Sequence, residues 1–266
     1  MAGRIRIGIG GWTFEPWRGV FYPPALKQKD ELNYASRHLT AIEINGTYYS
    51  TFKPDSWKKW RDETPDGFVF TVKGSRFTTN RRELATAGES LERFFAQGME
   101  HLVDRLGPLF WQLPNTKKFN PDDLEGFLSL LPKTLAGRPL RHALEVRHDS
   151  FCAPAFPALL RKYGIANVYA KHNTYPEIAD LTADFVYARL QTGSDTVEAA
   201  YPPAELDAWA GRFRTWAGGE TPKDLPLVDP EHSAPKADRD VFAFVIHEGK
   251  VRAPAAAMAL IERVGR

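Results

Sequence analysis

The run Ile42-Glu43-Ile44-Asn45 alternates apolar and polar side chains with a period of two, the pattern of a β-strand with one apolar face. Similar short apolar runs recur at positions 5–9, 68–73, 109–112, 143–147, 166–171, 185–190 and 241–246. Helix-period segments or loops separate these runs. Parallel strands joined by crossovers form a sheet that helices cover, and eight such units favour a closed TIM-type (β/α)₈ barrel over an open doubly wound sheet.

Apolar side chains at helical spacing predict the covering helices. Asn120 followed by Pro121 indicates the start of one helix, and Gly164 indicates the end of another. The clearest pattern predicts one long helix that ends at Gly107-Pro108, with an apolar face made of Leu91, Phe94, Phe95, Met99, Leu102 and Leu106.

The length of 266 residues matches one barrel of about 250 residues. We therefore expect a single domain over residues 1–266. The stretch 218–240 is rich in proline and charge and has no periodicity, so we expect it to be an exposed insertion before the last strand.

The composition argues against several classes of protein. No stretch reaches the roughly 18 consecutive apolar residues of a membrane helix, so no membrane partner is expected. The single cysteine, Cys152, permits no internal disulfide and is expected to be a small buried hydrophobic residue. Since the N-terminus also lacks a signal-peptide pattern, we predict a cytoplasmic location. The net charge of +2 argues against a duplex-DNA-binding protein, which usually carries a strong basic excess.

Polar side chains recur where the predicted strands end. If Ile42 and Ile44 face the helices, then Glu43 and Asn45 face the barrel interior. The same alternation directs further polar residues to the barrel mouth: Lys73, Gln112, Glu145, Arg147, Lys171, Arg189, Gln191 and His247. Barrel enzymes carry their chemistry at this face, which predicts a site here. Alternatively, these residues form ion pairs that only fill the barrel.

The predicted mouth is electropositive. Its two carboxylates, Glu43 and Glu145, are outnumbered by the cations Lys73, Arg147, Lys171 and Arg189. Excess positive charge in a partly desolvated cavity favours an anionic ligand, and arginine suits phosphate or carboxylate. We therefore predict an enzyme that acts on a phosphorylated or phosphodiester-containing small molecule, with hydrolysis as the reaction considered. The predicted catalytic residues are Glu43, Glu145, His148 and His247, and the predicted substrate-binding residues are Trp12, Asn45, Lys73, Gln112, Arg147, Lys171, Arg189 and Gln191.

Three alternatives stay open. Glu43 and Glu145 lie three strands apart, so a carbohydrate-active barrel would use them as a glycosidase pair. The basic run 73–82 would suit single-stranded nucleic acid in a non-catalytic binding module. A divalent metal is the one cofactor considered, but no HxxxH or HxH spacing links His148, His172 and His247.

Aromatic residues cluster around Arg18, after the first predicted strand. Trp12, Trp17, Phe21 and Tyr22 either pack over that strand or form a stacking platform for a sugar or base. The predicted binding role of Trp12 follows the second interpretation.

Motifs along nearly the whole chain are those of a known family. They are Gly11-Trp12, Trp17-Arg18-Gly19, Phe21-Tyr22-Pro23, Ile42-Glu43-Ile44-Asn45, Thr47-Tyr48-Tyr49, Trp60 with Thr64-Pro65, Phe68 to Lys73, Gln112-Leu113-Pro114, Glu145-x-Arg147-His148, and Ala253-Pro254 before Ala256. In these motifs the sequence resembles the YecE-like proteins, the family of domain of unknown function 72 (DUF72). The resemblance implies a TIM-type barrel and no settled activity.

The sequence departs from the family pattern at the predicted site. The family's Tyr-x-Arg-Leu-His-Gly reads Tyr187-Ala188-Arg189-Leu190-Gln191-Thr192 here, so Gln191 replaces a histidine. The usual Phe-x-Asn-Asp near the last strand reads Phe244-Val245-Ile246-His247-Glu248. Both departures fall on the predicted site, where they would bear on whatever chemistry the family performs.

Overall fold

Eight parallel strands close into a barrel, as the eight runs predict. The computed structural model describes residues 2–232 and 234–265. Each strand pairs with its neighbours in chain order, and the last strand pairs with the first. The strands are β1 (Ile5–Gly10), β2 (Ala41–Ile44), β3 (Val69–Lys73), β4 (Leu106–Gln112), β5 (His142–Glu145), β6 (Ala166–Lys171), β7 (Phe185–Thr192) and β8 (Asp240–Glu248). The chain is therefore a single-domain TIM-type barrel.

Helices cover the outside of the barrel between most strands. They are α1 (Glu31–His38), α2 (Pro54–Glu63), α3 (Arg76–Thr79), α4 (Gly88–Phe95), α5 (Pro121–Leu130), α6 (Ala155–Tyr163), α7 (Pro203–Ala217) and α8 (Ala253–Val264). The Asn120 side chain accepts a hydrogen bond from the Asp123 backbone N–H at 3.1 Å, so the predicted N-cap of α5 is confirmed. Gly164 ends α6 in the left-handed conformation, also as predicted.

The predicted long helix over 91–106 is wrong. Helix α4 ends at Phe95, and Gly98 follows with φ of 90°, a left-handed conformation that an α-helix does not continue through. A short 3₁₀ segment, Met99–Arg105, then leads into β4, which contains Gly107. A Cβ on Gly98 would lie 2.9 Å from Cα of Pro54, so close packing also requires glycine here.

The crossover from β6 to β7 contains no helix over residues 172–184. The segment 218–239, itself without helix or strand in its described part, packs on this crossover. The Asp180 carboxylate accepts hydrogen bonds from the backbone N–H groups of Val228 and Asp229, and Arg161 pairs with Asp229. The segment is not wholly exposed, because Leu225 and Asp229 are buried.

Alternation assigns two of the predicted inward residues to the wrong face, Lys171 on β6 and His247 on β8. Ala166 and Val168 belong to the apolar cluster inside the barrel, together with Phe110 and Tyr187. Lys171 therefore shares the outward face of β6, so its predicted inward position is wrong. Its Nζ pairs instead with Glu177 at 2.6 Å.

The structure also bears on the predictions for Cys152 and for membrane-spanning helices. Cys152, which directly follows the short 3₁₀ helix Asp149–Phe151, is exposed, so its predicted buried position is wrong. In the part of the chain that the structure describes, no helix combines the length and apolar composition needed to cross a bilayer.

Candidate functional site

A cavity of about 700 Å³ opens at the C-terminal ends of the strands. Its wall brings together seven of the predicted site residues: Asn45, Lys73, Gln112, Arg147, Arg189, Gln191 and His247. Gly10 at the end of β1 also lines the cavity. A Cβ on Gly10 would lie 2.8 Å from Nδ2 of Asn45, so glycine leaves the room that the Asn45 side chain occupies.

A buried ion-pair network forms the floor of this cavity. The Arg189 guanidinium donates from Nη2 and Nε to the two oxygens of Glu43, at 3.0 and 3.1 Å. Its Nη1 donates to Glu145. Both carboxylates are fully buried, and Tyr187 Oη donates to Glu43 at 2.7 Å. Arg147 Nε donates to Glu145 at 2.6 Å and completes the network.

The charges in the floor fix the ionisation of its members. Burial opposes the ionised form of Glu145, but Arg189 and Arg147 outweigh it and lower the pKa of this carboxyl to about 2. Burial also opposes the charged form of Arg189, yet Glu145 and Glu43 raise its pKa above the ordinary value. Burial, followed by the charge of Glu43, raises the pKa of Tyr187 well above its usual range. The phenol therefore stays protonated and able to donate.

Three cations converge on one amide oxygen above this floor. Gln112 Oε1 accepts from Lys73 Nζ at 2.9 Å, from Arg147 Nη2 at 2.8 Å and from Arg189 Nη1 at 3.3 Å. Lys73 is only 9% exposed, and among the described residues no carboxylate lies within 4.0 Å of its Nζ. Burial, together with the charge of Arg189, lowers the pKa of Lys73 to about 8.

Two amide side chains on the wall have unpartnered polar atoms. Gln191 is 1% exposed, and its Nε2 finds no hydrogen-bond partner among the described residues. The same holds for Oδ1 of Asn45. Buried polar atoms are nearly always paired, so such atoms beside a cavity indicate a position for a ligand or water.

The rim of the cavity comes from the loop after β8. Ile246 takes the inward position on β8, and His247 reaches the cavity wall because its backbone turns to φ of 68°. Lys250 lies at the rim with its Nζ 4.0 Å from the centre of the Phe14 ring. Trp17 Nε1 donates to the Lys250 carbonyl at 2.8 Å and ties this loop to the segment after β1.

Comparison with known proteins decides the family. The family described as "Protein of unknown function DUF72" matches residues 6–266. The chain belongs to the DUF72 family. The UPF0759 protein YecE of Escherichia coli K12 is 30% identical over 152 residues, which are 56% of this chain and 50% of YecE. The UPF0759 protein YunF of Bacillus subtilis is 26% identical over 160 residues, 57% of this chain and 54% of YunF.

The DUF72 chain spans about half the length of these curated relatives. A solved DUF72 family protein from Thermotoga maritima superposes with a TM-score of 0.69 at 22% identity, covering 97% of this chain and 96% of the other. At this identity the similarity shows the barrel fold alone. The family and the fold that the motifs predict are thus confirmed.

Several predicted residues of this DUF72 protein lie away from the cavity wall. Trp12 packs edge-on against Trp60, with ring centroids 5.1 Å apart. The Nδ1 atom of His148 forms a hydrogen bond with Ser150 Oγ at 2.9 Å, and the His148 side chain caps the short 3₁₀ helix after β5. Lys171 points outward, as described above. The buried carboxylates of Glu43 and Glu145 contact Arg189 beneath the wall and do not line the cavity.

Sequence reasoning missed several residues of the site, among them Tyr48, Tyr187 and Lys250, and also the carboxylates Asp195 and Glu248 on the cavity wall. The Tyr48 ring lies 4.6 Å from Lys73 Nζ and belongs to the motif that follows Asn45. Tyr187 lies two positions before Arg189, so period-two alternation already places it inward. Lys250 follows the end of β8, and no periodicity identifies a residue in such a loop.

The histidines and carboxylates do not assemble into a metal centre in the described part of the chain. No group of three or more His, Cys, Asp or Glu side chains is arranged there to hold an ion. His172 and His247 do approach each other, with ring centroids 5.5 Å apart, but no carboxylate completes a ligand set with them.

Proposed function

We propose that this cavity binds a small molecule through a phosphate or carboxylate group, and that the protein is an enzyme acting on such a phosphorylated or otherwise anionic substrate. The observation that carries the proposal is the surplus cation. Arg147 and Arg189 are balanced by Glu43 and Glu145, whereas Lys73 has no carboxylate partner among the described residues. A buried, unbalanced cation is costly, and an anionic group in the adjacent cavity would offset that cost.

The hydrogen-bond donors around the cavity support the same assignment. Lys73 and Arg147 donate to one oxygen of Gln112, so their charged ends lie side by side on the wall. The unpartnered Nε2 of Gln191 supplies a further donor on this wall. An oxyanion with several acceptor oxygens can engage these donors at once, which suits phosphate in particular.

In this proposal Glu43 and Glu145 are positioning residues. Both hold the Arg189 guanidinium, and Glu145 also holds Arg147. A glycosidase pair needs one carboxyl that keeps its proton beside the substrate. The pKa of Glu145 near 2 and the full burial of both groups therefore disfavour the carbohydrate-active alternative.

Calorimetric titration with inorganic phosphate, and then with a phosphomonoester, tests the proposal. Lys73→Met and Arg147→Met should each weaken binding at least tenfold. Lys171→Met is the matched control, because it removes a lysine at the end of β6 that lies outside the cavity. Turnover of a phosphoester panel by the wild type, lost in Arg147→Met, would establish the enzyme. Equal phosphate affinity in wild type and Arg147→Met would contradict the assigned site.

A second candidate function rests on an exposed aromatic surface beside the mouth. Tyr49 and Phe77 are 65% and 64% exposed. The guanidinium carbon of Arg76 lies 5.9 and 5.3 Å from the centres of their rings. Bases stack on exposed aromatic rings while arginines neutralise phosphates, so we propose single-stranded nucleic acid as the alternative ligand of this surface.

Fluorescence anisotropy with a labelled oligothymidylate at low salt tests this second candidate. Phe77→Ala and Arg76→Gln should each reduce affinity severalfold, and added salt should weaken binding further. Val20→Ala is the control, since Val20 is another exposed apolar residue, 51% exposed, outside this surface. Affinity that does not differ between Phe77→Ala and Val20→Ala would rule out the assigned surface.

A further inference from the structure

The Lys73 amine has surroundings that a simple anion-binding lysine does not need. Its Nζ lies 4.6 and 5.6 Å from the centres of the Tyr48 and Phe110 rings, and it donates to the neutral oxygen of Gln112 at 2.9 Å. The side chain is buried, yet it lines a cavity large enough for a small metabolite.

The neighbouring charges favour the neutral amine. Arg147 and Arg189 share the same Gln112 oxygen with Lys73, so two permanent cations lie beside the lysine. Desolvation, followed by the charge of Arg189, lowers the pKa of Lys73 to about 8. At pH 7 roughly one molecule in ten then carries a neutral amine, far more than for an ordinary lysine. A lysine that is desolvated beside other cations is an activated nucleophile.

We propose that Lys73 forms an imine with the aldehyde or ketone group of a substrate that also carries a phosphate or carboxylate. This inference rests on the proposed function, because the cavity's cations hold the acidic group. It deepens that function by naming a carbonyl compound as the substrate class.

The step balances without an added reagent. The Nζ lone pair forms a bond to the carbonyl carbon as the C=O π bond breaks, and one proton moves from the nitrogen to the oxygen, which gives a neutral carbinolamine. A second proton, taken from solvent, converts the hydroxyl group into water, which leaves as the nitrogen lone pair forms the C=N bond of the protonated imine. Protonated imine carries the same single positive charge as the original ammonium, so the cluster keeps its attraction for the acidic group.

The other lysines near the mouth lack this combination of features. Lys171 pairs with Glu177 on the outer face of β6. Lys250 is exposed at the rim with its Nζ over the Phe14 ring. Within the described part of the chain it does not share a hydrogen-bond acceptor with an arginine, as Lys73 does. We therefore assign the reaction to Lys73.

Reductive trapping tests the inference. The full chain is incubated with pyruvate, with dihydroxyacetone phosphate or with acetone, each with and without sodium cyanoborohydride. Intact mass and peptide mapping then locate the adduct. We expect one adduct per chain on Lys73 with pyruvate or dihydroxyacetone phosphate, and at least tenfold less with acetone. Lys73→Arg should give none at this position, and Lys171→Arg should match the wild type.

The possible failures are distinguishable. Label spread over surface lysines or placed mainly on Lys250 would overturn the assignment. Phosphate binding by the wild type without any adduct would overturn the imine and leave the proposed function standing. An adduct on Lys73 that forms equally well with acetone would retain the nucleophile and reject the anion site. Thermal unfolding followed by circular dichroism tests whether Lys73→Arg is folded, and Lys73→Met provides a second variant with the same expected loss.

Discussion

Lys73 and Arg147 reach the same oxygen atom, Oε1 of Gln112, at 2.9 and 2.8 Å. One lies at the end of β3, and the other lies two residues beyond the end of β5, so the contact joins opposite edges of β4. An amide oxygen carries only a partial negative charge and cannot balance two cations. The pair therefore leaves this part of the cavity wall electropositive, although Glu145 neutralises Arg147 from below and the exposed carboxylates Asp195 and Glu248 line the cavity elsewhere.

Gln112→Glu changes the charge of this wall without changing its shape. The new carboxylate would balance Lys73, so phosphate affinity should fall at least tenfold, which is about 1.4 kcal/mol of binding free energy. Thermal stability should stay equal or rise, because the cations gain a full partner. Titration calorimetry and a melting curve measure the two effects. Unchanged phosphate affinity would show that the surplus charge is not what binds the anion.

Glu145→Gln breaks the buried network from one side. The change leaves Arg189 with one carboxylate and Arg147 with none, so the free energy of unfolding should fall by about 3–5 kcal/mol. Urea denaturation measures this loss. Glu125→Gln is the control, since Glu125 pairs with Lys162 on the exposed side of α5 and its loss should have little effect on stability. Similar losses for both variants would mean that burial does not strengthen the network.

The pH dependence of stability reports the same carboxylate. The pKa of Glu145 is about 2 in the folded chain, against 4.5 for an unperturbed glutamate. A depressed pKa gives stability that is fully present above the unfolded pKa and is lost as pH falls toward the folded one. Between pH 6 and pH 3.5 the wild type should therefore lose about 1.4 kcal/mol more than Glu145→Gln. Urea titrations of both proteins at both pH values measure this difference. An equal loss of unfolding free energy in the two proteins would contradict the shifted pKa.

Adduct formation at Lys73 should rise with pH, reach half its maximum near pH 8 and level off about one pH unit higher. Burial, Arg189 and Arg147 lower the pKa of Lys73, Glu43 and Glu145 act in the opposite direction, and the net result is a pKa of about 8. Since only the neutral amine attacks a carbonyl, the initial rate of trapping follows the deprotonated fraction. A rate that keeps rising through pH 10 would indicate an ordinary lysine instead.

Gly8→Ala should prevent correct closure of the barrel. A Cβ at Gly8 would lie 1.8 Å from the carbonyl oxygen of Ala41 on the adjacent strand, and neither backbone can move without breaking the β1–β2 pairing. The cost should exceed about 3 kcal/mol and be visible as lost near-ultraviolet circular dichroism. Gly211→Ala on α7 meets no atom within 4 Å, so it should instead stabilise by about 0.4–1 kcal/mol. A folded Gly8→Ala protein with wild-type stability would show that the strands can separate.

The sequence determined the architecture because strand and helix periodicities are local properties. All eight strands lie where the apolar runs predict them, and the caps at Asn120 and Gly164 act as their residue types suggest. Local periodicity failed at Gly98, where φ of 90° interrupts an apolar stripe that continues in the sequence. Helical spacing of apolar residues predicts a buried helix face, but it does not show whether the helix is continuous.

Many residues of the site could also be predicted from alternation, since successive side chains on a strand point to opposite faces. Glu43, Lys73, Gln112 and Arg189 all face inward as predicted. Lys171 was assigned to the wrong face because the last residue of a run does not reveal which parity is interior. His247 reaches the cavity only through a left-handed backbone turn, which alternation does not describe.

The tertiary structure alone decided which charges neutralise one another. Arg189 and Glu43 are 146 positions apart, and Arg189 and Glu145 are 44 apart, yet all three form one network. Counting inward charges predicted a surplus of two cations; Lys171 leaves the count by pointing outward, and the surplus becomes one. Strand tilt and register set the depth of each side chain in the barrel, and depth decides which groups lie within hydrogen-bonding distance. A linear sequence specifies faces, whereas the pairing of charges depends on distances that exist only after the barrel closes.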